Sequence, residues 1–163
     1  MSRLDSAIRR LQAQRACLEH AAGLIAQVPG PVVELGLGNG RSYDHLRQIL
    51  PDRAIFAFDR QVDAHPDCIP DPQHLVLGDF ADTLPTALAR LGARAALIHA
   101  DTGTGEADRN ARLAAWLAPH LLALAAPGGV ILSDQELAAL ADRSLPVPEG
   151  VAPGRYFLYR APA

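Results

Sequence analysis

Two cysteines in 163 residues, Cys17 and Cys68, are too few for a disulfide framework and are not spaced as a metal-binding pair. No apolar stretch approaches the roughly twenty residues of a membrane span, and Met1-Ser2-Arg3-Leu4-Asp5 does not open a signal peptide. The expected location is therefore a reducing cytoplasm, with no membrane partner. Charge of neither sign dominates: a formal net charge of -3 gives no general attraction to polyanions, and no nucleic-acid partner is expected. No Gly-Lys-Ser/Thr closes a glycine loop, which excludes a phosphate-gripping P-loop. His65, Asp67 and Cys68 carry metal-capable atoms but lack a zinc-ligand spacing, so no metal is assigned to that loop. At 49% apolar and 20% charged, the chain reads as one ordinary soluble domain over residues 1–163. A chain of this length buries about two-thirds of its unfolded surface.

What the sequence does contain is Val32-Val33-Glu34-Leu35-Gly36-Leu37-Gly38-Asn39-Gly40, followed by a helix-compatible segment from Arg41. A short β-branched run, a glycine loop and a helix read as the first βα unit of a parallel sheet, with a site at the strand's carboxyl end. The glycines depart from the dinucleotide fingerprint, because Gly40 follows Gly38 by two positions rather than three. An NAD-dependent oxidoreductase-like domain stays as an alternative. The second apolar run, Ala54 to Phe58, ends in Asp59-Arg60 about twenty residues after the loop, where an open α/β sheet presents a carboxylate to ribose hydroxyls.

Glu34-x-Gly36-x-Gly38-x-Gly40 resembles motif I of class I S-adenosyl-L-methionine-dependent methyltransferases. The resemblance spans roughly residues 29 to 160 and implies a Rossmann-like three-layer α/β sandwich with a mostly parallel sheet and an antiparallel last strand. It also implies that the loop residues Gly36, Leu37, Gly38, Asn39 and Gly40 face the methionine part of S-adenosyl-L-methionine, with Glu34 organising that region. In Leu75-Val76-Leu77-Gly78-Asp79-Phe80, the family pattern places Asp79 near the adenine amino group and Phe80 near the ring. As a reading of residues alone, Asp79 is equally an N-cap, in competition with Asp82. Tyr43 lies near enough to the loop to touch a ligand, or packs beneath it.

The rest of the chain fits that plan. Residues 3 to 27 read as an amphipathic helix with Leu4, Ile8, Leu11, Leu18, Ala22 and Ile25 toward the sheet. Pro29-Gly30-Pro31 stops it, and a second helix covers Arg41 to Leu50. Three prolines between Asp63 and Pro72 trim the next crossover to a loop. A helix over Asp82 to Leu91 buries Leu84, Leu88 and Leu91, and Ala95 to Asp101 forms strand four. A helix to about Leu124 contains Pro119, and a Pro-Gly-Gly turn at 127–129 leads into strand five, ending at Ser133-Asp134. A short helix over Gln135 to Ala141, a sixth segment at 145–147 and a last strand at 155–160 complete the expectation.

Glu34, Asp59, Asp79 and Asp101 end four apolar segments and so share one rim. With this cofactor the donor is already activated, and the protein's task is to align a nucleophile and exclude water. Asp101 is the first candidate base and also borders the cofactor, His99 is a poorer base, and Asp108 is placed to orient substrate from its loop. A metal-dependent branch of the resembled family implies Mg2+ held by Asp101 and Asp134-Gln135, although Gln135 replaces the usual asparagine. Asn/Asp-Pro-Pro-Phe/Tyr, the mark of nucleic-acid amino-methylating relatives, is absent after strand four. The expected partner is a small-molecule substrate. The small domain points to a homo-oligomer that completes the pocket. A non-catalytic S-adenosylmethionine-binding module is the other alternative.

Overall fold

The computed structural model describes residues 2–163. A helix α1 (Arg3–Leu24) leads to strand β1 (Val32–Leu35), helix α2 (Arg41–Ile49) and strand β2 (Ile55–Asp59). Strand β3 (Leu75–Leu77) is followed by two short helices, α3 (Phe80–Thr83) and α4 (Ala87–Leu91), and by β4 (Ala95–Ala100). Helix α5 (Ala107–Leu124), strands β5 (Ala125–Ser133), β6 (Ser144–Leu145) and β7 (Phe157–Arg160) complete the chain. The seven strands are ordered β3-β2-β1-β4-β5-β7-β6. The first five are mutually parallel, and β7 runs antiparallel to both β5 and β6. The expected antiparallel last strand is present, inserted between the fifth and sixth.

The apolar runs are buried because both sheet faces are covered. On one face Val32, Ile55, Ala57, Leu97, Val130 and Leu132 pack with Cys17, Leu18 and Ala21 of α1 and Leu46 of α2. On the other, Val33, Leu35, Phe58, Ile98 and Ile131 meet Leu84, Leu91 and the α5 residues Ala114, Leu117 and Leu121. This is the three-layer sandwich expected of the sequence. Glycine at position 30 lets the chain enter β1 tightly: its φ is +125°, and a Cβ there would overlap the Arg94 carbonyl oxygen.

Departures from the sequence reading have local causes. Helix α1 is capped by a Ser2–Asp5 box but touches the sheet only with its second half. Leu4 and Ile8, expected inside, are 69% and 44% exposed. The buried stripe is Ala13, Gln14, Cys17, Leu18 and Ala21, and the helix ends at Leu24, with Ile25 as its cap. The crossover helix begins at Phe80 rather than Asp82 and is broken over Leu84–Thr86, where Pro85 cannot donate to the helical ladder. The break rotates Leu88 outward, so it is exposed while Leu84 and Leu91 are buried. The second crossover is trimmed to a 3-10 turn, Pro66–Cys68. A 3-10 stretch, Ala138–Arg143, replaces the helix drawn over 135–141. Strand β6 stops before Pro146, which has no N–H to give a ladder.

Candidate functional site

The parallel strands deliver Glu34, Asp59, Asp79, Asp101 and Asp134 at or just past their carboxyl ends, but these acids do different work. Register pairs Leu35 with both Phe58 and Ala100, so β1, β2 and β4 end together. The Gly36 backbone then passes so close to β4 that a Cβ would lie 2.5 Å from the Asp101 carbonyl oxygen, at a φ of +86° that also favours glycine. Gly40, at φ +85°, begins α2 against Cys68, whose Cβ a side chain would meet at 2.5 Å. Gly38 differs: a Cβ there meets nothing within 4 Å.

Asp59 organises the loop. Its Oδ2 accepts the Leu37 and Gly38 amides at 2.8 and 3.2 Å, and its Oδ1 accepts the Arg60 amide at 2.6 Å. Oδ2 is thereby filled, but Oδ1 keeps a second lone pair, so a ribose hydroxyl can still be accepted. Arg60 Nε stands 3.7 Å from Asp79 Oδ1, with both side chains exposed. Asp59, Arg60, Asp79 and Phe80 line a crevice of about 850 Å³ that continues past Gly36, Thr102 and Thr104 to Leu113 and Trp116. Asp79 is the N-cap residue of α3, without a side-chain capping bond, which leaves its carboxylate for the crevice. Gly78 adopts φ +143°, and a Cβ there would come within 3.0 Å of Thr83 Cγ2.

Beyond Thr104, which lines both hollows, lies a cavity of about 460 Å³. Its walls include Arg10, Asp101, Asp134, Gln135, Arg155 and Tyr156. Asp101 Oδ2 accepts from Gln14 Nε2 at 2.8 Å. Asp134 holds the following loop, accepting the Thr102 and Gly103 amides at 3.1 and 2.9 Å and the Gln135 side-chain nitrogen at 3.0 Å. Burial pushes the Asp134 carboxyl above the usual carboxylate range; those hydrogen bonds oppose the shift and the Asp101 charge adds to it. Asn110 pins the same loop, accepting from the Thr104 amide and hydroxyl at 2.9 Å and donating to its carbonyl at 2.8 Å.

Several residues assigned from the sequence lie elsewhere. Glu34 is fully buried, takes a hydrogen bond from the Ser42 hydroxyl and lies 2.7 Å from His99 Nδ1. Neither carboxylate oxygen is open to a ligand. His99 is likewise enclosed, with Nε2 at 3.3 Å from the Tyr156 hydroxyl, so it cannot touch a substrate directly. Asp108 lies exposed in the first turn of α5 and lines neither hollow, a place where an acid favours the helix dipole. Tyr43 packs inside under the Arg47 guanidinium, 4.9 Å from its ring centroid. Leu37 is 2% exposed, so only its amide serves the site. Asn39 is exposed, and its carbonyl receives the His65 amide at 3.2 Å. Gln14, Ser42, Asn110 and Tyr156 were not anticipated. A polar Gln14 at the spacing of buried Leu18 and Ala21 was the one available signal. A further hollow of about 780 Å³ lies under residues 26–31 at the strands' other ends, where Arg53 is committed to the Gly30 and Ile25 carbonyls.

A family model described as S-adenosyl-L-methionine methyltransferase matches residues 1–161. The chain belongs to this family. A solved S-adenosyl-L-methionine methyl transferase from Silicibacter pomeroyi DSS-3 is 46% identical, with a TM-score of 0.92 over 99% of each chain. More distant structures share the methyltransferase's fold. The N-methyltransferase NodS from Bradyrhizobium japonicum WM9 is 14% identical, with a TM-score of 0.57 over 99% of each chain. The methyltransferase MycE, in complex with Mg and SAH, is 15% identical at TM-score 0.54, over 89% of this chain and 48% of its own. None of the curated proteins matches the chain.

The lining of the methyltransferase's crevice is of the chemistry an adenosyl ligand needs, with the Asp59 Oδ1 lone pair able to accept a ribose hydroxyl and the Phe80 ring on the same wall. Changing Asp59 to alanine is expected to weaken S-adenosylmethionine and its demethylated product by about 1–3 kcal/mol through lost ribose and loop hydrogen bonds. Calorimetry checks this, with NAD as the comparison ligand. Tight NAD binding without S-adenosylmethionine binding would support the oxidoreductase-like alternative.

Proposed function

We propose that this methyltransferase acts on a small molecule seated in the cavity between Asp101, Asp134 and Tyr156. The observation that carries the reading is that crevice and cavity meet at Thr104, so a ligand in each would share one boundary. About 460 Å³ is the scale of a small-molecule site. When bound, the cofactor supplies an activated methyl group. The chain's own residues then bind, orient and dehydrate. Asp59 and the Leu37 and Gly38 amides form the ribose end, Asp79 and Phe80 the adenine end, and Asp101 aligns the incoming nucleophile. Gln14 holds Asp101 in one orientation, and Asn110 with Asp134 fixes the loop between the two ligands. Polar groups held in this way reduce the entropy cost of alignment.

Radiolabelled methyl transfer from S-adenosylmethionine into a panel of metabolites and proteins tests the reading. Transfer to a small molecule is expected; transfer only to proteins, or none with tight cofactor binding, would favour a protein-modifying or non-catalytic module. In keeping with this role we place the chain in the cytoplasm and infer that a second copy shields the exposed α1 end, which light scattering would detect as a homo-oligomer.

The residues at 101, 134 and 135 do not fit Mg2+. Asp134 Oδ2 is filled by the Gly103 amide and the Gln135 side-chain nitrogen, and Oδ1 holds the Thr102 amide with one lone pair left. Gln135 turns its nitrogen, not its oxygen, toward them, which leaves too few free oxygens for a cation that demands octahedral oxygen ligation. Among the described residues no group of three His, Cys, Asp or Glu side chains is arranged to hold a metal. Chelation with EDTA is therefore expected to leave the transfer rate unchanged, and a loss restored by added magnesium would return the metal-dependent branch.

A further inference from the structure

Behind the cavity wall runs a line of polar groups, none of which lines the larger crevice. Glu34, His99 and Tyr156, from β1, β4 and the residue before β7, are exposed by 0%, 0% and 2%. Oε2 of Glu34 is 2.7 Å from His99 Nδ1, and His99 Nε2 is 3.3 Å from the Tyr156 hydroxyl. The two ring planes are inclined by 18°, with centroids 6.0 Å apart. Burying an imidazole and a carboxylate is costly when they are charged, and apolar side chains of similar volume often fill such a place at no loss of stability. Tyr156 is the member that reaches the cavity, beside Asp101 and Asp134.

We propose that Glu34, His99 and Tyr156 form a proton relay ending at the cavity, and that the methyl acceptor is an O–H or N–H nucleophile that gives its proton to the Tyr156 oxygen. The inference rests on the reading of that cavity as the acceptor's seat. The step balances. The acceptor's X–H bond breaks and its proton goes to the tyrosine oxygen, while the tyrosine's own proton goes to His99 Nε2. The electron pair left on X forms the bond to the methyl carbon, and the carbon–sulfur pair remains on sulfur. One positive charge disappears at sulfur and one appears on His99, where Glu34 holds it through Nδ1–H. The site's total charge is unchanged.

The surroundings of His99 make it a stronger base than an ordinary imidazole. Burial pulls its pKa down, but the Glu34 charge and hydrogen bond, joined by the charges of Asp101 and Asp134, carry it above the ordinary imidazole value. A histidine so shifted is free to take a proton as pH rises through its raised value, whereas an ordinary carboxylate is a far weaker base. The remaining hydrogen-bonded neighbours are uncharged, Ser42 on Glu34 and Gln14 beside Tyr156, while Arg10 and Arg155 share the cavity wall with Tyr156. Burial raises the Tyr156 hydroxyl well above its usual range, so it passes a proton on rather than waiting as a phenolate.

The test is an NMR pH titration of the histidine-¹⁵N-labelled full chain with S-adenosylmethionine or S-adenosylhomocysteine bound, from pH 6 to 9. His99 is distinguished from the other histidines of the six by a His99→Gln variant. Above its pKa, His99 should be the Nδ1–H tautomer with a bare Nε2. Its titration should lie lower in the S-adenosylmethionine complex, by about half a unit or more, because the sulfonium charge opposes the imidazolium. Glu34→Gln should lower it further. Tyr156→Phe should keep S-adenosylhomocysteine affinity within about threefold, by the loss of no cofactor contact, yet shift the Nε2 resonance. A His99 that stays doubly protonated to pH 9, carries its proton on Nε2, or titrates identically in both complexes overturns the relay. Failure of the same sample to bind S-adenosylmethionine would instead sink the cofactor reading, so the two failures are separable.

Discussion

Replacing Glu34 by alanine is expected to lower the unfolding free energy by about 3–5 kcal/mol, the cost of leaving a buried partner without its counter-charge. The loss should be large because Glu34 satisfies two buried groups at once, the Ser42 hydroxyl and His99 Nδ1. It should also depend on pH with a definite sign. The folded-state pKa of His99 is raised above its unfolded value, chiefly by Glu34 acting against burial. The pair's contribution is therefore fully present below the unfolded imidazole pKa and is lost as pH rises through the higher folded one. Urea melts of wild type and Glu34→Ala, run on either side of that window, should converge as the pH increases. A gap that stays constant, or widens, with rising pH would mean that His99 is neutral in the folded protein throughout.

Glu34 also marks where the sequence stops being readable. That acids would stand at the ends of β1, β2, β3 and β4 follows from apolar runs closing in a carboxylate, because parallel strands put those ends on one rim. What each acid touches does not follow, because partners come from distant elements. Glu34 lies 65 residues from His99 and Asp101 lies 87 from Gln14. Tyr156 reaches His99 from 57 residues away, with no motif to announce it. Helix periodicity could mark Leu4 and Ile8 as an apolar stripe, yet periodicity carries no information on whether a sheet lies opposite them, and the sheet begins only further along α1. Pro85 is visible in the sequence but the exposure of Leu88 is not, since a broken helix changes the face on which every later residue falls.

The second large effect separates the loop from the neighbouring acid. Gly38→Val places a branched side chain in the open space above the loop, at a φ of +52° that a β-branched residue resists. It also disturbs the Gly38 amide that Asp59 accepts at 3.2 Å. Cofactor affinity is expected to fall by about 2 kcal/mol or more, roughly thirtyfold, with the fold retained. Asp101→Asn makes the opposite separation. Its neutral amide can keep one bond to Gln14, now 2.8 Å from Oδ2, so S-adenosylhomocysteine should bind within about threefold of wild type. Transfer to the acceptor found by the screen should fall about a hundredfold, because a nucleophile displaced by a fraction of its approach distance loses the aligned geometry. Calorimetry with S-adenosylhomocysteine and initial rates with labelled S-adenosylmethionine give the two readings independently. If Asp101→Asn loses affinity and rate in the same proportion, Asp101 serves the cofactor alone and the acceptor's alignment belongs to other residues of the cavity wall.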